Sequence, residues 1–187
     1  MSRKPKCKVC KEPFERRFST TQRTCSVRCA IKDAENSREA ISKRVEKEKR
    51  ADIRKRKEAL KSRSDWLREA QTACNAYIRE RDKGLPCISC GNTRDVKYCA
   101  GHYKTRGGNP ELRFHPFNIN RQCDWYCNLN LSGNITEYRK ALIKKIGIKN
   151  VEWLEGEHQA QNWTIEDIKE IKAYYKEQLK QLKRIGE

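Results

Sequence analysis

Eight of the ten cysteines fall into two groups whose spacing is typical of zinc ligands. Each group combines a Cys-x2-Cys pair with a later Cys-x3-Cys pair. The first group is Cys7, Cys10, Cys25 and Cys29, and the second is Cys87, Cys90, Cys123 and Cys127. Four thiolates close a tetrahedral zinc site and stabilise a segment that is too small to fold alone. The sequence therefore predicts two structural zinc ions; the alternative for the first group is four reduced thiols in a flexible arm.

Polar residues that the second zinc site does not need lie between and after its cysteines. They are two histidines and three asparagines: His102, His115, Asn118, Asn128 and Asn134. A zinc ion held by four thiolates has no open position for water, so these side chains are candidates for a separate site. Structural roles compete with that interpretation: a strand-end core histidine at His102, a turn at Asn118 and a helix cap at Asn128.

The elements that must position these residues begin with a charged helix. Residues 30–62 are rich in Lys, Arg, Glu and Ala and contain no Gly or Pro. Their apolar residues are too sparse for a continuous buried stripe, which predicts a semi-rigid, exposed connector. Ser64 is then predicted to cap a second helix that closes at Gly84. Cys74 is expected to be a small buried residue of that helix.

The second cysteine group brackets a predicted hairpin, and a helix follows it. The stretches "DVKYCAGHY" and "ELRFH" have strand composition and flank the loop "KTRGGNP". Cys99 in the first stretch is expected in the core, and His115 at the end of the second is expected in a loop. After Cys127, apolar residues recur at helical spacing until Gly147.

Together these elements predict an α+β protein that is stapled by zinc. Only 36% of the residues are apolar and 36% are charged, so the hydrophobic core is small and needs such staples. The predicted segments are an N-terminal four-cysteine zinc finger at 1–31, a charged helical linker at 32–63, a zinc-containing domain of two strands and a helix at 64–150, and a C-terminal helical segment at 151–187. The last segment opens with a capping box at Thr164 and Asp167.

The net charge of +18 points to a nucleic-acid partner, because neutralising phosphates and releasing counterions provides affinity without sequence recognition. Residues 151–187 are net acidic, so the terminal helix is expected to have another role. Its apolar stripe either folds back on the core or forms a homodimer contact. The chain contains no transmembrane-length apolar run and no N-terminal apolar signal. With cysteines spaced for metal, this predicts a cytoplasmic protein without a membrane partner.

The stretches "CISCG", "AGHY", "FNINRQC" and "SGN" resemble the HNH, or ββα-metal, nuclease motif. In that motif a His ends a strand, an Asn follows in the loop, and a His or Asn begins the helix. A closer resemblance is to the phage NinG (Rap) recombination protein family. It covers nearly the whole chain, through the first cysteine group, the charged linker, "RERDKGLPCISCG", "LRF" and the terminal "WTIE" helix.

The resemblance implies an HNH-like ββα-metal finger within the 64–150 domain. His102 would be the general base, Asn128 would ligate a catalytic Mg²⁺ or Mn²⁺, and Asn118 would hydrogen-bond backbone to fix the loop that carries the base. Asn134 is a second candidate for metal or phosphate contact. Many HNH proteins place Asp or His before the base, where this chain has Gly101. The metal is then held by fewer protein ligands and more water, or His102 itself binds it.

Two functions fit these features. The first, which the resemblance implies, is a structure-selective DNA endonuclease that acts on branched recombination intermediates such as Holliday junctions and D-loops. The second is a non-catalytic zinc protein that binds branched or single-stranded DNA and recruits others. An RNA-binding zinc ribbon has weaker support, because no aromatic-rich strand for base stacking is evident. His102, Asn118 and Asn128 favour the enzyme, and Gly101 is the feature against it.

Overall fold

The computed structural model describes residues 4–185, and the chain divides into two compact units, Met1–Leu60 and Lys61–Glu187. The first unit takes in the predicted N-terminal finger and nearly all of the predicted linker. The second takes in the predicted 64–150 domain and the C-terminal segment. Among the described residues, no helix has the length and apolar character needed to cross a membrane.

Helices dominate the described residues, and two short strands form one antiparallel sheet, so the predicted mixture of helix and strand is confirmed. The elements in chain order are α1 (Val27–Ala59), α2 (Arg63–Arg81), β1 (Tyr98–His102), β2 (Ile119–Cys123), α3 (Ile135–Ile146), α4 (Ile148–Glu155) and α5 (Ile165–Ile185). Single 3₁₀ turns occupy Pro110–Leu112 and Pro116–Asn118, and a π-helix occupies Asp124–Asn130.

The charged helix predicted for the linker is present as α1, in the first unit. Ser26 caps it by accepting a hydrogen bond from the Cys29 N–H at 3.3 Å. None of the residues of α1, all of which the structure describes, is buried. Ion pairs between residues four apart, such as Glu39 with Lys43 at 2.6 Å, line the helix and add a few tenths of a kcal/mol each. At 1.5 Å per residue its 33 residues span about 50 Å.

The second helix begins two residues earlier than predicted. Ser62, rather than Ser64, is the N-cap of α2: its hydroxyl accepts from the Asp65 N–H at 3.2 Å, and the Asp65 carboxylate accepts from the Ser62 N–H at 3.0 Å. Because this reciprocal pair satisfies two free N–H groups at once, it outcompetes a single serine cap at Ser64. The helix ends at Arg81, before Gly84, whose φ is +80°.

The sheet differs from the predicted hairpin in its second strand. β1 pairs with β2, with Tyr98 opposite Cys123 and His102 opposite Ile119, so "ELRFH" is not a strand. Pro110 and Pro116 begin the two 3₁₀ turns on either side of that stretch, and a proline has no N–H to give a strand partner. The segment between the strands therefore packs as irregular structure.

The core of the second unit forms where α5 folds back on α2, which is the first of the two alternatives predicted for the terminal helix. The capping box at its start is confirmed, with Thr164 and Asp167 exchanging hydrogen bonds at 2.8 and 3.1 Å. The buried side chains of this interface are Trp66, Ala70, Ala73, Cys74, Ile78, Ile168 and Tyr175. Cys74 is buried, as predicted. A second cluster joins α3 and α4 through Tyr138, Leu142, Val151 and Leu154.

A buried carboxylate anchors the end of α2. Asp82 is only 2% exposed. Its oxygens accept from Arg81 at 2.7 Å, from Lys145 at 3.1 Å and from the backbone N–H of Arg121 at 3.0 Å. Burial by itself raises the pKa of the Asp82 carboxyl, but the two cations and their hydrogen bonds outweigh it and lower the pKa below the usual value.

Asn120 extends this network to β1. Its amide oxygen accepts from Lys145 at 2.7 Å, and its amide nitrogen donates to the Tyr138 hydroxyl at 3.1 Å. The Tyr138 hydroxyl donates in turn to the Gly101 carbonyl at 3.0 Å. The network therefore ties α2, α3 and β2 to the backbone one residue before His102.

Candidate active site

The first cysteine group is a preformed metal site. The four sulfur atoms of Cys7, Cys10, Cys25 and Cys29 all lie within 4.8 Å of one another. Cys10 and Cys25 are 3.5 Å apart, and Cys25 and Cys29 are 3.6 Å apart. A tetrahedron with Zn–S bonds of about 2.3 Å has sulfur atoms about 3.8 Å apart, so these residues fit a zinc ion.

The second group has the same arrangement at the sheet. Its sulfur atoms also lie within 4.8 Å of one another, with Cys87 to Cys127 at 3.8 Å and Cys90 to Cys123 at 3.7 Å. Cys123 ends β2, and Cys127 lies inside the π-helix that follows. The three residues between these two cysteines are therefore accommodated by a wide helical turn.

Residues 7–12 and 87–92 fold into the same tight turn. In both, the N–H of the first cysteine donates to the carbonyl of the sixth residue, at 2.8 and 2.9 Å, and the N–H of the fifth donates to the first carbonyl, at 3.0 and 2.9 Å. The fifth residue has a positive φ in each case, +64° at Lys11 and +69° at Gly91. Two unrelated segments thus adopt one backbone geometry around their sulfur atoms.

Backbone N–H groups stabilise a thiolate in each site. The Cys25 N–H donates to the Cys7 sulfur at 3.4 Å, and the Cys123 N–H donates to the Cys87 sulfur at 3.3 Å. Burial raises the pKa of Cys7, but N–H donors from Cys10 and Cys25 outweigh it and lower the pKa to about 6. The pKa of Cys87 is lowered for the same reason, against its burial. A deprotonated sulfur is the form that binds metal.

We expect two zinc ions per chain in the purified protein. Each site replaces four neutral thiols by four thiolates and one dication, a change of −2, so the formal charge falls from +18 to +14. Elemental analysis of metal against protein concentration measures the number. A ratio of one or below would show that at least one of the two cysteine groups binds no zinc.

His102 ends β1 with one ring nitrogen bonded to a backbone carbonyl. Its Nε2 lies 3.0 Å from the Arg113 carbonyl oxygen. Because a carbonyl only accepts, this nitrogen carries the hydrogen and Nδ1 is the basic nitrogen. Burial lowers the pKa of His102 to about 4, against the raising effect of the Arg113 carbonyl. The imidazole is therefore neutral at pH 7.

Asn118 closes the loop that leaves β1. Its amide oxygen accepts from the Lys104 N–H at 2.7 Å, and its amide nitrogen donates to the carbonyls of Lys104 and Leu112, both at 3.0 Å. Its backbone carbonyl accepts from the Tyr103 N–H at 2.8 Å. The side chain is fully buried, so Asn118 contacts backbone on both sides of the loop and does not face solvent.

A cleft of about 810 Å³ brings His102 and Asn128 together. Asn128 reaches it from the π-helix, and Ser132 and Gly133 line the same wall. Asn134 is not among the lining residues that the structure describes. It precedes α3 with a left-handed backbone, φ +46°, and makes no side-chain hydrogen bond to the helix. The structure therefore unites two of the five polar candidates and leaves Asn118, Asn134 and His115 outside the described lining of the cleft.

Three arginines complete the cleft, and sequence reasoning did not single them out. Arg79 comes from α2, Arg106 from the loop after β1, and Arg113 from the segment before β2. The lining residues within 4–185 include no acidic side chain, and the salt bridges of that range involve none of these arginines. Arg79 precedes Arg106 by 27 positions and Arg113 follows it by seven, so no local pattern marks the three as a group.

Arg113 has a fixed position among the three. Its Nε donates to the Gln71 side-chain oxygen at 3.1 Å, and Gln71 donates to Asn75 at 2.9 Å. Gln71 is buried, and Asn75 lines the cleft. The Arg113 carbonyl also holds His102, so one residue positions the imidazole and presents a guanidinium to the same space.

Gly101 has no room for a side chain. A Cβ built there lies 2.1 Å from the Gln122 side-chain oxygen. Gln122 is itself fully buried and donates to the Ser89 hydroxyl at 2.7 Å and to the Gly133 carbonyl at 2.5 Å. An Asp or His before His102 does not fit, and the oxygen-bearing side chains of the described cleft lining, such as Asn128, are neutral.

The last two residues singled out from the sequence, His115 and Cys99, differ in where they lie. His115 accepts a hydrogen bond from the Phe117 N–H at 3.3 Å and packs against the Trp153 ring at 4.8 Å. It is not among the described residues that line the cleft. Cys99 does line the cleft, and burial raises the pKa of its thiol to about 12, so it is a neutral group there.

Comparison with known proteins gives one consistent result. A family model described as "Bacteriophage Lambda NinG protein" matches residues 1–187. "Protein ninG" of Salmonella phage P22 is 43% identical over 195 residues, covering 97% of this chain and 94% of the relative. "Protein ninG" of Escherichia phage lambda is 43% identical over 188 residues, covering 93% and 90%, and that of Escherichia phage 933W is 42% identical over 192 residues, covering 95% and 93%. No solved structure matches.

Proposed function

Because the chain belongs to the NinG family of phage proteins, we propose that it is a metal-dependent endonuclease that cuts branched DNA in phage recombination. One observation carries this proposal. A neutral, half-buried histidine at the end of β1 shares a cleft with Asn128 and with three arginines, and the described lining residues include no carboxylate.

The order of elements supports an HNH-like finger. β1 carries His102, an irregular segment leads to β2, and a helical turn with Asn128 follows. A zinc ion on Cys87, Cys90, Cys123 and Cys127, whose sulfur atoms lie within 4.8 Å of one another, would hold the ends of this unit together. The proposed finger therefore depends on zinc for its shape and on other residues for its chemistry.

The proposed reaction is hydrolysis of a phosphodiester. Nδ1 of His102 takes a proton from a water molecule as its oxygen attacks phosphorus, and the bond from phosphorus to the leaving oxygen breaks. Arg113, held by Gln71, offsets the negative charge on the phosphate. Asn118 keeps the loop after β1 closed and so positions the imidazole. A bound Mg²⁺ or Mn²⁺ would supply further stabilisation of charge on the leaving oxygen.

Because the described lining of the cleft has no carboxylate, its donor groups would hold a divalent cation only together with a substrate phosphate. Asn128 and the hydroxyl of Ser132 are neutral oxygen ligands, and both line the cleft. Magnesium commonly retains several waters and takes anionic oxygens from a substrate phosphate. We therefore expect metal to bind well only when DNA is present, with Asn128 as the protein ligand.

A second function is supported by Gly101. The usual HNH ligand position is sterically closed by Gln122, which suits a protein that binds branched or single-stranded DNA without cutting it. The same arginine-lined cleft would then hold a phosphate only. Asn128 and His102 would be expected to contribute little to such binding, because both are neutral.

The test is cutting of a four-way junction against a linear duplex of equal length and sequence, with Mg²⁺, with Mn²⁺ and with neither. We expect metal-dependent nicking of the junction and little cutting of the duplex, at matched salt because phosphate contacts are salt-sensitive. Junction binding without cutting in either metal would favour the accessory role. Equal cutting of both DNAs would leave a general nuclease.

A further inference from the structure

Two aromatic side chains stand in solvent between the ligands of the second zinc site. Trp125 is 70% exposed and Tyr126 is 57% exposed, whereas Cys123 and Cys127 on either side are buried. A zinc ion on those two cysteines would fasten both ends of the short segment, whose middle residues project outward. We call Trp125 and Tyr126 the aromatic platform.

The platform belongs to the same π-helix that enters the cleft. The Tyr126 carbonyl accepts from the Leu131 N–H at 3.1 Å, and the Cys127 carbonyl accepts from the Gly133 N–H at 2.8 Å. Asn128, two residues after Tyr126, lines the cleft beside His102. π-Helical turns are rare and frequent at functional sites. The platform therefore lies on the same short helix, two and three residues before a residue that lines the cleft.

Packing within the chain does not explain why aromatic residues occupy positions 125 and 126, because most of their surface is exposed. Aromatic residues usually bury most of their surface, and a protein this poor in apolar residues would be expected to use them in its core. Trp66, Tyr138 and Tyr175 of the second unit are used in that way and are almost completely buried, whereas Trp153 and Tyr174 are about half exposed. An exposed pair beside a polar cleft therefore points to a binding partner.

The charges around the platform select a nucleic acid over an apolar protein surface. The cleft contributes Arg79, Arg106 and Arg113, and its described lining includes no acid. The carboxylate of Asp124, which precedes the platform in the sequence, is paired with Lys97 at 2.7 Å. A strand whose phosphates follow the arginines would bring its bases to the aromatic rings, an arrangement typical of single-strand binding sites.

We propose that the aromatic platform stacks against unpaired bases of the DNA whose phosphate occupies the cleft. This proposal rests on the proposed DNA-binding function. It adds the feature of the DNA that the platform would recognise, which is the exposed face of an unpaired base. A duplex hides the faces of its bases within the stack, whereas a branch point or a single strand exposes them. The platform would therefore supply preference for DNA with unpaired bases, without any sequence code.

The experiment measures binding by the full chain carrying His102→Ala, so that cutting does not interfere. In this background we compare Trp125→Ala/Tyr126→Ala with the unchanged platform on a single strand, a junction with an unpaired branch and a linear duplex at matched salt. We expect binding of the first two DNAs to weaken about tenfold or more, and duplex binding to stay within about twofold. Trp125→Phe/Tyr126→Phe should restore most of the affinity.

A matched control and a direct probe make the result specific. Tyr174, on α5, is 55% exposed and is not among the described residues of the cleft, so Tyr174→Ala should leave all three affinities unchanged. A 2-aminopurine placed at the branch should lose fluorescence on binding the intact platform and keep it with the double alanine variant. Zinc content confirms that each variant is folded.

The outcomes separate the proposal of base stacking by the platform from the proposal of endonuclease activity. Equal weakening on duplex, an unchanged affinity for the single strand, or an equal loss with Tyr174→Ala overturns the platform, whatever the cutting assay shows. Stacking without any cutting by the unmodified chain keeps the platform and overturns the enzyme. If the chain binds none of these DNAs but binds a protein partner through Trp125, both proposals are wrong.

Discussion

Replacing His102 with alanine is expected to slow junction cutting by about 10²–10⁴-fold, the usual effect of losing a general base. Junction affinity should stay within about twofold, because one neutral side chain adds little to phosphate binding. The measurements are single-turnover cutting rates with saturating protein, and binding in parallel. Cutting at the unmodified rate would show that His102 is not the base.

His115→Ala is the matched control for this prediction. His115 is also partly buried and lies in the same unit, but it packs against Phe117 and Trp153 and is not among the described residues of the cleft. We expect cutting by this variant to remain near the unmodified rate. Zinc content and thermal unfolding of both variants separate a chemical effect from a structural one, and loss of zinc together with binding in His102→Ala would indicate a structural histidine.

The cutting rate between pH 7 and about 5 gives an independent test of His102 as the base. A base works only in its neutral form, and burial holds the pKa of His102 at about 4, below its ordinary 6.5. The fraction of neutral imidazole therefore stays high as the pH falls from 7 to about 5, and the rate should not decline near 6.5. A decline centred at 6.5 would instead indicate a solvated base.

Replacing Asp82 with alanine is expected to lower the free energy of unfolding by about 3–5 kcal/mol, the usual loss when one partner of a buried ion pair is removed. The carboxylate is 2% exposed and accepts from Arg81, Lys145 and the Arg121 backbone. Alanine leaves two cations facing each other in a buried space. Urea denaturation at fixed zinc concentration measures the difference.

Glu137→Ala is the exposed counterpart of that change. Glu137 pairs with Lys140 on the surface of α3 at 2.7 Å, with about half of its side chain accessible, and such pairs contribute about 0–1 kcal/mol. A similar loss in both variants would show that burial is not what makes the Asp82 network strong. Because the folded pKa of Asp82 is depressed, its contribution is present above the unfolded value of about 3.8 and lost as the pH falls through the folded one.

Sequence reasoning worked where the physical cause is local. The cysteine spacings predicted both metal sites, because two or three intervening residues already limit how two sulfur atoms can meet. The helices of the linker and the tail followed from the absence of Gly and Pro and from the box at Thr164 and Asp167. It was wrong where two local signals competed: Ser62 instead of Ser64 begins α2, because its partner Asp65 completes a reciprocal pair.

Only the tertiary structure decided which polar residues meet. Arg79 and Arg113 are separated by 34 positions, and they share a cleft because α2 packs against the sheet and Gln71 orients the second guanidinium. Residue 101 cannot carry a side chain because the Gln122 side chain leaves no space for a Cβ there. Such meetings depend on packing between distant segments, which spacing along the chain does not encode. The sequence by itself therefore determined the two cysteine clusters suited to a metal and most of the helices, and the packing of α2, β1 and the π-helix determined which residues line the cleft.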